Sequence, residues 1–190
     1  MKAPLILASA SPRRAELLLS AGLDFLALPA QTPELQPDHL TPHEAVQINA
    51  YRKARTVAKK YPDAVVLGAD TEVCLQQRVF GKPASLTEAE RMLTALQGRT
   101  HEVVTGVCLL HLRAHREALF AVSTLVTFRA LAARQIREYL ARTSPLDKAG
   151  AYAIQEDGHL IVEALDGSFS NVVGLPLAEV VAVLQAWARR

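Results

Sequence analysis

Hydrophobic positions recur along this chain with two periods, which alternate from the amino to the carboxyl end. Short apolar runs bounded by turn residues predict strands, and stretches whose apolar residues return every three or four positions predict helices. The predicted strands are Leu5–Ala8, Ala64–Ala69, Glu72–Leu75, Val79–Phe80, His101–His111, Glu117–Arg129, Ala151–Gln155 and Leu160–Ala164. The predicted helices are Pro12–Ala21, Pro42–Lys60, Thr87–Gln97, Ala132–Arg142 and Pro176–Arg189. Because the two kinds of element interleave, we expect an α/β fold on a mixed sheet, with runs 103–111 and 119–128 forming a broad hairpin.

Residues that favour helix ends support these boundaries. Thr41 and Glu44 have the spacing of a capping box, and Thr87 with Glu90 predicts a second one. No repeat, low-complexity segment or linker divides the chain. Its residues 1–190 are therefore expected to form a single domain.

Composition narrows the classes of function. Half of the residues are hydrophobic and 21% are charged, which is enough for a full core. A net charge of +2 and an aromatic fraction of 5% do not favour nucleic-acid binding, which uses strong positive charge and stacking rings. No apolar stretch reaches the roughly 20 residues of a membrane helix, and no signal peptide is visible. We expect a cytoplasmic protein that binds neither nucleic acid nor membrane.

Cysteine and histidine give no sign of a metal or thiol centre. Cys74 and Cys108 lie in apolar runs and are expected to be buried free thiols. No Cys/His cluster has the spacing of a zinc site. The histidines are expected at the surface, and we assign chemistry to none of them: His39, His43, His101, His111, His115 and His159.

The clearest chemical signal is a strand that runs directly into a helix whose first turn holds Arg13 and Arg14. Ser11 is the expected N-cap. A cation in that turn faces the positive end of the helix dipole and costs about 0.3–1 kcal/mol unless an anion offsets it. Backbone N–H groups, the hydroxyl of Ser9 and two guanidinium groups suit a phosphate. The alternative is that both arginines are solvated surface residues.

A carboxylate follows the next buried strand. Asp70 and Thr71 come at the expected carboxyl end of strand 64–69, where ligands gather in open α/β sheets. Asp70 could hold a divalent cation there or accept a proton from water. Gly68 beside it allows a close approach of backbone or ligand. An aspartate in an ordinary turn is the alternative.

Further candidates are cationic or polar. Lys53 falls within the apolar stripe of its helix, so its side chain either snorkels along the helix or pairs with an anion. Lys82 precedes a proline, Lys148 enters a predicted strand, and Gln155 ends it, where an amide could read a base edge or a sugar. Glu34 lies in the least regular stretch of the chain, where a solvated loop residue is the plainer interpretation.

Together these candidates place many cations around few carboxylates, namely Asp70 with Glu34 or Asp147. Such a balance suits a polyphosphate substrate that carries its own divalent metal. Neither a P-loop nor a G-x-G-x-x-G cradle is present, and no G-x-S-x-G elbow suggests a serine nucleophile.

Several motifs occur along the chain in a fixed order: LASASPRR at 7–14, GADT at 68–71, GKP at 81–83, DKAGAY at 147–152 and VGLPL at 173–177. In this order they resemble the Maf family, the septum-formation-inhibitor-like nucleotide pyrophosphatases. The similarity covers residues 5–184. It implies an α/β fold with an elongated mixed sheet, flanking helices and a central cleft, similar to the inosine-triphosphate pyrophosphatases.

The resemblance also implies a reaction. A nucleoside triphosphate would be hydrolysed between its α and β phosphates, giving the monophosphate and pyrophosphate, with Mg²⁺ or Mn²⁺. Asp70 would accept the proton of the attacking water and bind the metal with Glu34, although the loop around Glu34 departs from the family's acidic pattern. The expected substrate-binding residues are Ser9, Arg13, Arg14, Lys53, Thr71, Lys82, Lys148 and Gln155. A homodimer is implied by the resemblance alone.

Three positions separate branches of the family. Arg13, Thr71 and Gln155 match the branch that resembles dTTP/UTP pyrophosphatases. A branch acting on 7-methyl-GTP typically has tryptophan at the first position and Asp-Gln in place of Asp70-Thr71. We therefore expect dTTP, UTP and possible modified pyrimidine triphosphates as substrates. The alternatives are a pyrophosphatase for 7-methyl-GTP or another non-standard nucleotide, and a nucleotide-sensing regulator of cell division.

Overall fold

The computed structural model describes residues 3–35, 39–76 and 78–189. The strands are β1 (Leu5–Leu7), β2 (Leu26–Ala27), β3 (Val65–Leu75), β4 (Arg78–Phe80), β5 (Thr100–His111), β6 (Arg116–Phe128) and β7 (Val162–Asp166). The helices are α1 (Pro12–Ser20), α2 (Pro42–Ala58), α3 (Leu86–Leu96), α4 (Ala133–Arg142), α5 (Phe169–Val173) and α6 (Leu177–Ala188).

Within those residues the strands form one mixed sheet in the order β2-β1-β3-β5-β6-β7, with β4 paired to β3. The sheet is open, β1 pairs parallel with β2 and β3, and β6 pairs antiparallel with β7. The predicted α/β class and the mixed sheet are therefore confirmed, and the central cleft stays a prediction. None of the helices described is long and apolar enough to cross a membrane.

Strand β3 differs from the prediction in a way that matters for the site. It is one continuous strand, so the prediction that Asp70 and Thr71 follow its carboxyl end is wrong. Parallel pairing with β1 ends at Leu7 opposite Leu67, and β3 then continues into antiparallel pairing with β4. Asp70 therefore lies just past the carboxyl end of β1, inside its own strand.

The predicted strand at 151–155 is also wrong. Residues 149–151 form a 3-10 turn, and Gln155 lies in a turn that follows it. Gly150 and Ala151 have φ angles of 69° and 63°, a left-handed backbone that a strand does not accommodate.

Helix boundaries agree with the predictions to within two residues. The capping box of α2 is confirmed: Thr41 Oγ1 accepts from the backbone N–H of Glu44 at 3.3 Å, and Glu44 Oε2 accepts from the Thr41 N–H at 2.8 Å. The cap predicted at Thr87 is wrong, because Ser85 Oγ accepts from the Glu88 N–H at 3.2 Å. Elements β2 and α5 escaped prediction because they are too short to show a period.

The chain divides into two compact units. The first contains the described residues of 1–71, 105–122 and 174–190, and the second contains those of 72–104 and 123–173. In the first unit the sheet separates two apolar clusters, because successive residues of a strand point to opposite faces. The cluster on the α1 and α6 side holds Leu5, Leu7, Leu18, Val65, Leu67, Ala69, Val107, Leu109, Leu175 and Val180. The cluster on the α2 side holds Ile6, Ala8, Ala50, Ala54, Val57, Ala58, Ala64, Val66, Cys108 and Leu110.

Two glycines let α2 lie close against the sheet. A Cβ on Gly68 would collide with the carbonyl oxygen of Ala50 and lie 2.7 Å from the backbone nitrogen of Ala54. A Cβ on Gly106 of β5 would collide with the carbonyl group of Val46. The close approach expected at Gly68 is therefore made by the backbone of α2, and it brings the sheet-facing side chains of this helix near β3.

The core of the second unit includes residues of α3 and α4 together with Phe128 and Tyr152, whose rings contact the ring of His101. His101 is 2% exposed, so its predicted surface position is wrong. Its Nε2 lies 2.8 Å from the hydroxyl of Tyr152, and its ring stands edge-on to Phe128 at 4.7 Å between centroids. Cys74 and Cys108 are buried free thiols as predicted, and burial raises the pKa of each to about 12.

Candidate active site

Asp70 is held by one turn of α2. It is 5% exposed, and its Oδ1 lies 2.7 Å from Lys53 Nζ, while its Oδ2 accepts a hydrogen bond from Asn49 Nδ2 at 2.9 Å. Asn49 and Lys53 are four residues apart and therefore share a face of the helix. Both carboxylate oxygens thus have a donor, which is what a buried anion needs.

Lys53 also binds a second carboxylate. Its Nζ lies 2.7 Å from Glu34 Oε1, so one ammonium bridges Glu34 and Asp70. Of the two readings of this lysine, pairing with an anion is the one that the geometry supports. Burial raises the pKa of Asp70 above its ordinary value, while the charge of Lys53 opposes that change. A carboxylate with a raised pKa is a stronger base, as a group that takes a proton from water should be.

Arg14 is the centre of a second buried group of hydrogen-bonded side chains. Its Nε donates to the Gly174 carbonyl at 2.8 Å, its Nη1 to Ser9 Oγ at 3.0 Å, and its Nη2 to Thr71 Oγ1 at 3.0 Å. The hydroxyls of Thr71 and Thr105 share a further hydrogen bond of 3.0 Å. Three of the five guanidinium N–H groups therefore donate inside the protein.

Through these contacts Arg14 holds the hydroxyl groups of Ser9 and Thr71 in place. Burial lowers the pKa of Arg14, and the negative charges of Asp70 and Glu34 offset part of that change. Arg13, beside it in the first turn of α1, is half-buried. The phosphate contacts expected of both arginines stay predictions.

The two groups meet on neighbouring residues of β3. Asp70 turns toward α2, where it meets Asn49 and Lys53, and Thr71 turns toward α1, where it meets Arg14. Alternation along a strand explains why chain neighbours face different helices. The first unit therefore brings together five predicted residues with Glu34: Ser9, Arg14, Lys53, Asp70 and Thr71.

Lys148 is buried in the second unit and its ammonium is fully used there. Nζ donates to the Ser144 carbonyl at 2.6 Å and to Asp147 Oδ1 at 2.8 Å, and it lies 3.3 Å from Glu156 Oε2. These three acceptors match the three donors of an ammonium group. In this structure Lys148 holds its own loop together, and its contact with substrate stays a prediction.

Two other predicted residues of the second unit are exposed. Lys82 follows β4, and Gln155 lies in the turn that replaces the predicted strand. Their roles in binding phosphate and base stay predictions.

Sequence reasoning missed Asn49 and Thr105, which are 2% and 0% exposed. Asn49 lies four residues before Lys53, a spacing that marks two polar groups on one face of a core-facing helix. Thr105 is a polar residue inside a long apolar strand. Both signals were present, but neither shows which partner satisfies the buried group.

The fold is of the α/β class, and the site places the buried carboxylate of Asp70 next to Lys53 and one residue along β3 from Thr71, which Arg14 binds. The chain belongs to the Maf family, since a family model described as "Maf-like protein" matches residues 4–187. The resemblance drawn from the ordered motifs is thereby confirmed.

Curated relatives named dTTP/UTP pyrophosphatase match almost the whole chain. The protein from Moorella thermoacetica is 49% identical over 180 residues, which cover 95% of this chain and 93% of the relative. That from Myxococcus xanthus is 48% identical over 187 residues, with 95% and 91% covered. That from Gloeobacter violaceus is 46% identical over 190 residues, with 100% and 99% covered.

Proposed function

We propose that this chain is a nucleoside triphosphate pyrophosphatase that hydrolyses dTTP and UTP to the monophosphate and pyrophosphate. The observation that carries the proposal is Asp70, a buried carboxylate with a raised pKa that Lys53 and Asn49 hold in place. The names and full-length similarity of the curated relatives support the same reaction and substrates.

A divalent cation fits the residues present. Glu34 Oε1 and Asp70 Oδ1 both point at Lys53 Nζ from 2.7 Å, so two carboxylates converge on one positive charge. No group of three or more His, Cys, Asp or Glu side chains suits a metal in residues 3–35, 39–76 and 78–189. Mg²⁺ needs only one or two carboxylates when substrate phosphates complete its shell. We propose that Asp70 and Glu34 would be its protein ligands, and a bound ion would neutralise phosphate charge.

The chain's own residues perform the remaining steps. Asp70 takes a proton from water, whose oxygen bonds to the α phosphorus as the bond to the leaving pyrophosphate breaks. Lys53 and Arg14 place positive charge where negative charge develops on the phosphates. Lys53 also holds Asp70 Oδ1 at 2.7 Å beside that charge.

Asp70→Asn tests the reaction. We expect pyrophosphate release to fall by about 10²–10⁴-fold, because an amide cannot accept the proton. The control is Asp63→Asn, which removes an exposed carboxylate paired with Arg113 in the same unit. Release from dTTP, UTP, CTP, ITP and 7-methyl-GTP is compared in each protein. Wild-type turnover in Asp70→Asn would exclude the role given to Asp70.

Base preference is proposed to depend on Arg13, Thr71 and Gln155. A hydroxyl and an amide can match the carbonyl and imide edge of a pyrimidine. The double variant Arg13→Trp, Thr71→Gln introduces the residues of the 7-methyl-GTP branch. We expect it to lower kcat/KM for dTTP relative to 7-methyl-GTP, and an unchanged substrate ranking would contradict this assignment.

Two further properties of the enzyme are its cellular compartment and its oligomeric state. We propose the cytoplasm as its compartment, because its substrates are nucleoside triphosphates. A homodimer is proposed from the family resemblance alone, and the mass of the protein in solution tests it.

A further inference from the structure

A short segment, residues 32–35, lies along α2 in the opposite direction to the helix. We name this segment the strap. Each of its residues is bound by one α2 side chain. The four pairs are Thr32 with Thr56 at 3.2 Å, Pro33 with Arg52 at 2.8 Å, Glu34 with Lys53 at 2.7 Å, and Leu35 with Asn49 at 2.8 Å.

Asn49 binds the strap and Asp70 at the same time. Its Oδ1 accepts from the Leu35 N–H at 2.8 Å, and its Nδ2 donates to the Leu35 carbonyl and to Asp70 Oδ2, each at 2.9 Å. Both amide protons and one oxygen lone pair are therefore used. A side chain that is 2% exposed and bonded in three directions has one available orientation.

The other contacts of the strap do not share this property. Thr56 and Arg52 bind it at the surface and have no hydrogen bond to Asp70 among the contacts described. Lys53 contacts both Glu34 of the strap and Asp70. Its attraction to them is mainly one of charge, which imposes little directionality. Asn49 is the neutral residue whose geometry fixes the strap backbone and the carboxylate together.

We propose that Asn49 is a positioning residue, which orients the Asp70 carboxylate and holds Leu35 so that Glu34 stays on the shared ammonium of Lys53. The proposal rests on the proposed function, in which Asp70 is the general base that accepts the proton of the attacking water. The terminal torsion of an aspartate is broad, so a donor on Oδ1 alone leaves the carboxylate plane loosely defined. The second donor, on Oδ2, defines that plane.

Three variants separate the two parts of this role, which are to orient the Asp70 carboxylate and to hold Leu35. Asn49→Leu removes the contacts to Leu35 and to Asp70. Asn49→Asp keeps an acceptor for the Leu35 N–H but loses both donations of the amide, to the Leu35 carbonyl and to Asp70, and it adds a negative charge beside Asp70. Arg52→Ala is the matched control, since it removes a different strap contact on the same helix.

Two readouts are measured in each variant: kcat and KM for dTTP, and hydrogen exchange at the Leu35 amide. The Ala8 amide, which donates to Leu67 in the sheet at 2.8 Å, serves as the reference for global stability. We expect Asn49→Leu to lower kcat on the order of 10- to 100-fold with KM little changed. Asn49 contacts Asp70, the proposed general base, and not the substrate. Leu35 exchange should become faster while Ala8 exchange does not.

The other variants complete the test. Asn49→Asp should lose kcat while Leu35 stays protected, and Arg52→Ala should match wild type in both readouts. An active wild type with unchanged kcat in Asn49→Leu overturns the positioning role, and so does unchanged Leu35 exchange in that variant. A wild type that releases no pyrophosphate from any triphosphate overturns the proposed function instead. If Asn49→Leu does not fold, an unchanged kcat in Asn49→Asp overturns the positioning role.

Discussion

At Lys53, one buried ammonium compensates two carboxylates, so its removal leaves a like-charged pair. We predict that Lys53→Met lowers the free energy of unfolding by about 3 kcal/mol, because Asp70 becomes an uncompensated buried charge. Adding Asp70→Asn should recover part of the loss. Urea unfolding of the two single variants and the double variant measures the coupling, and strictly additive losses would contradict it.

His101 gives the protein a specific sensitivity to acid. Burial lowers its pKa from the ordinary 6.5 to about 4. Between those values the unfolded chain binds a proton that the folded chain does not, so stability is full above pH 6.5 and falls toward pH 4. The slope is about 1.4 kcal/mol per pH unit, or about 3 kcal/mol in all.

His101→Gln tests this pH dependence. We expect the variant to lose less stability than wild type between about pH 7 and about pH 5, because glutamine does not titrate there. Parallel pH dependences in the two proteins would show that other groups are responsible.

Lys53 and His101 also show what single residues reveal in a sequence. Lys53 was recognisable because a charge interrupted an apolar stripe of a helix. His101 opens a strand between polar neighbours, and the rings that bury it come from Phe128 and Tyr152, distant in the chain. Because these partners are distant in the chain, the sequence around His101 shows no pattern that predicts its burial.

The contact of α2 with β3 sets the geometry of the site. We predict that Gly68→Ala costs about 1–3 kcal/mol, because the new Cβ meets the helix backbone, which cannot change rotamer. Since α2 carries Asn49 and Lys53, kcat should fall as well. Gly158→Ala is the control, because its Cβ would meet ordinary contacts of 3.4 Å and longer. Unfolding and dTTP hydrolysis are measured in both variants.

The elements also show where pattern reasoning fails. Consecutive polar residues at Asp70 and Thr71 indicated the end of a strand, yet β3 continues through them. It continues because side chains of α2 and α1 satisfy both residues and because β4 pairs with the strand further on. The strand predicted to end at Gln155 was wrong for the opposite reason. Its residues are apolar enough for a strand, but the backbone is left-handed at its first residue, Ala151, and at Gly150 before it.

Substrate binding should stabilise the fold. A ligand that binds only the folded state at 100 times its Kd adds about 2.7 kcal/mol, which corresponds to a rise in Tm of about 5–10 °C for a chain of this size. We predict such a rise with a dTTP analogue that has a non-hydrolysable α–β bridge, in the presence of Mg²⁺. Chelation of the metal should remove most of it, and an equal rise with chelator would contradict the need for a divalent ion.

The neighbouring positions 70 and 71 have a consequence for how such enzymes diverge. Asp70 is hydrogen-bonded by side chains of α2, and Thr71 by Arg14 of α1. If Thr71 helps to select the nucleobase as proposed, replacements around it can alter which nucleobase is accepted while the hydrogen bonds of Asp70 to α2 are left as they were. Selectivity can therefore drift through a series of variants that all remain active, without an inert intermediate.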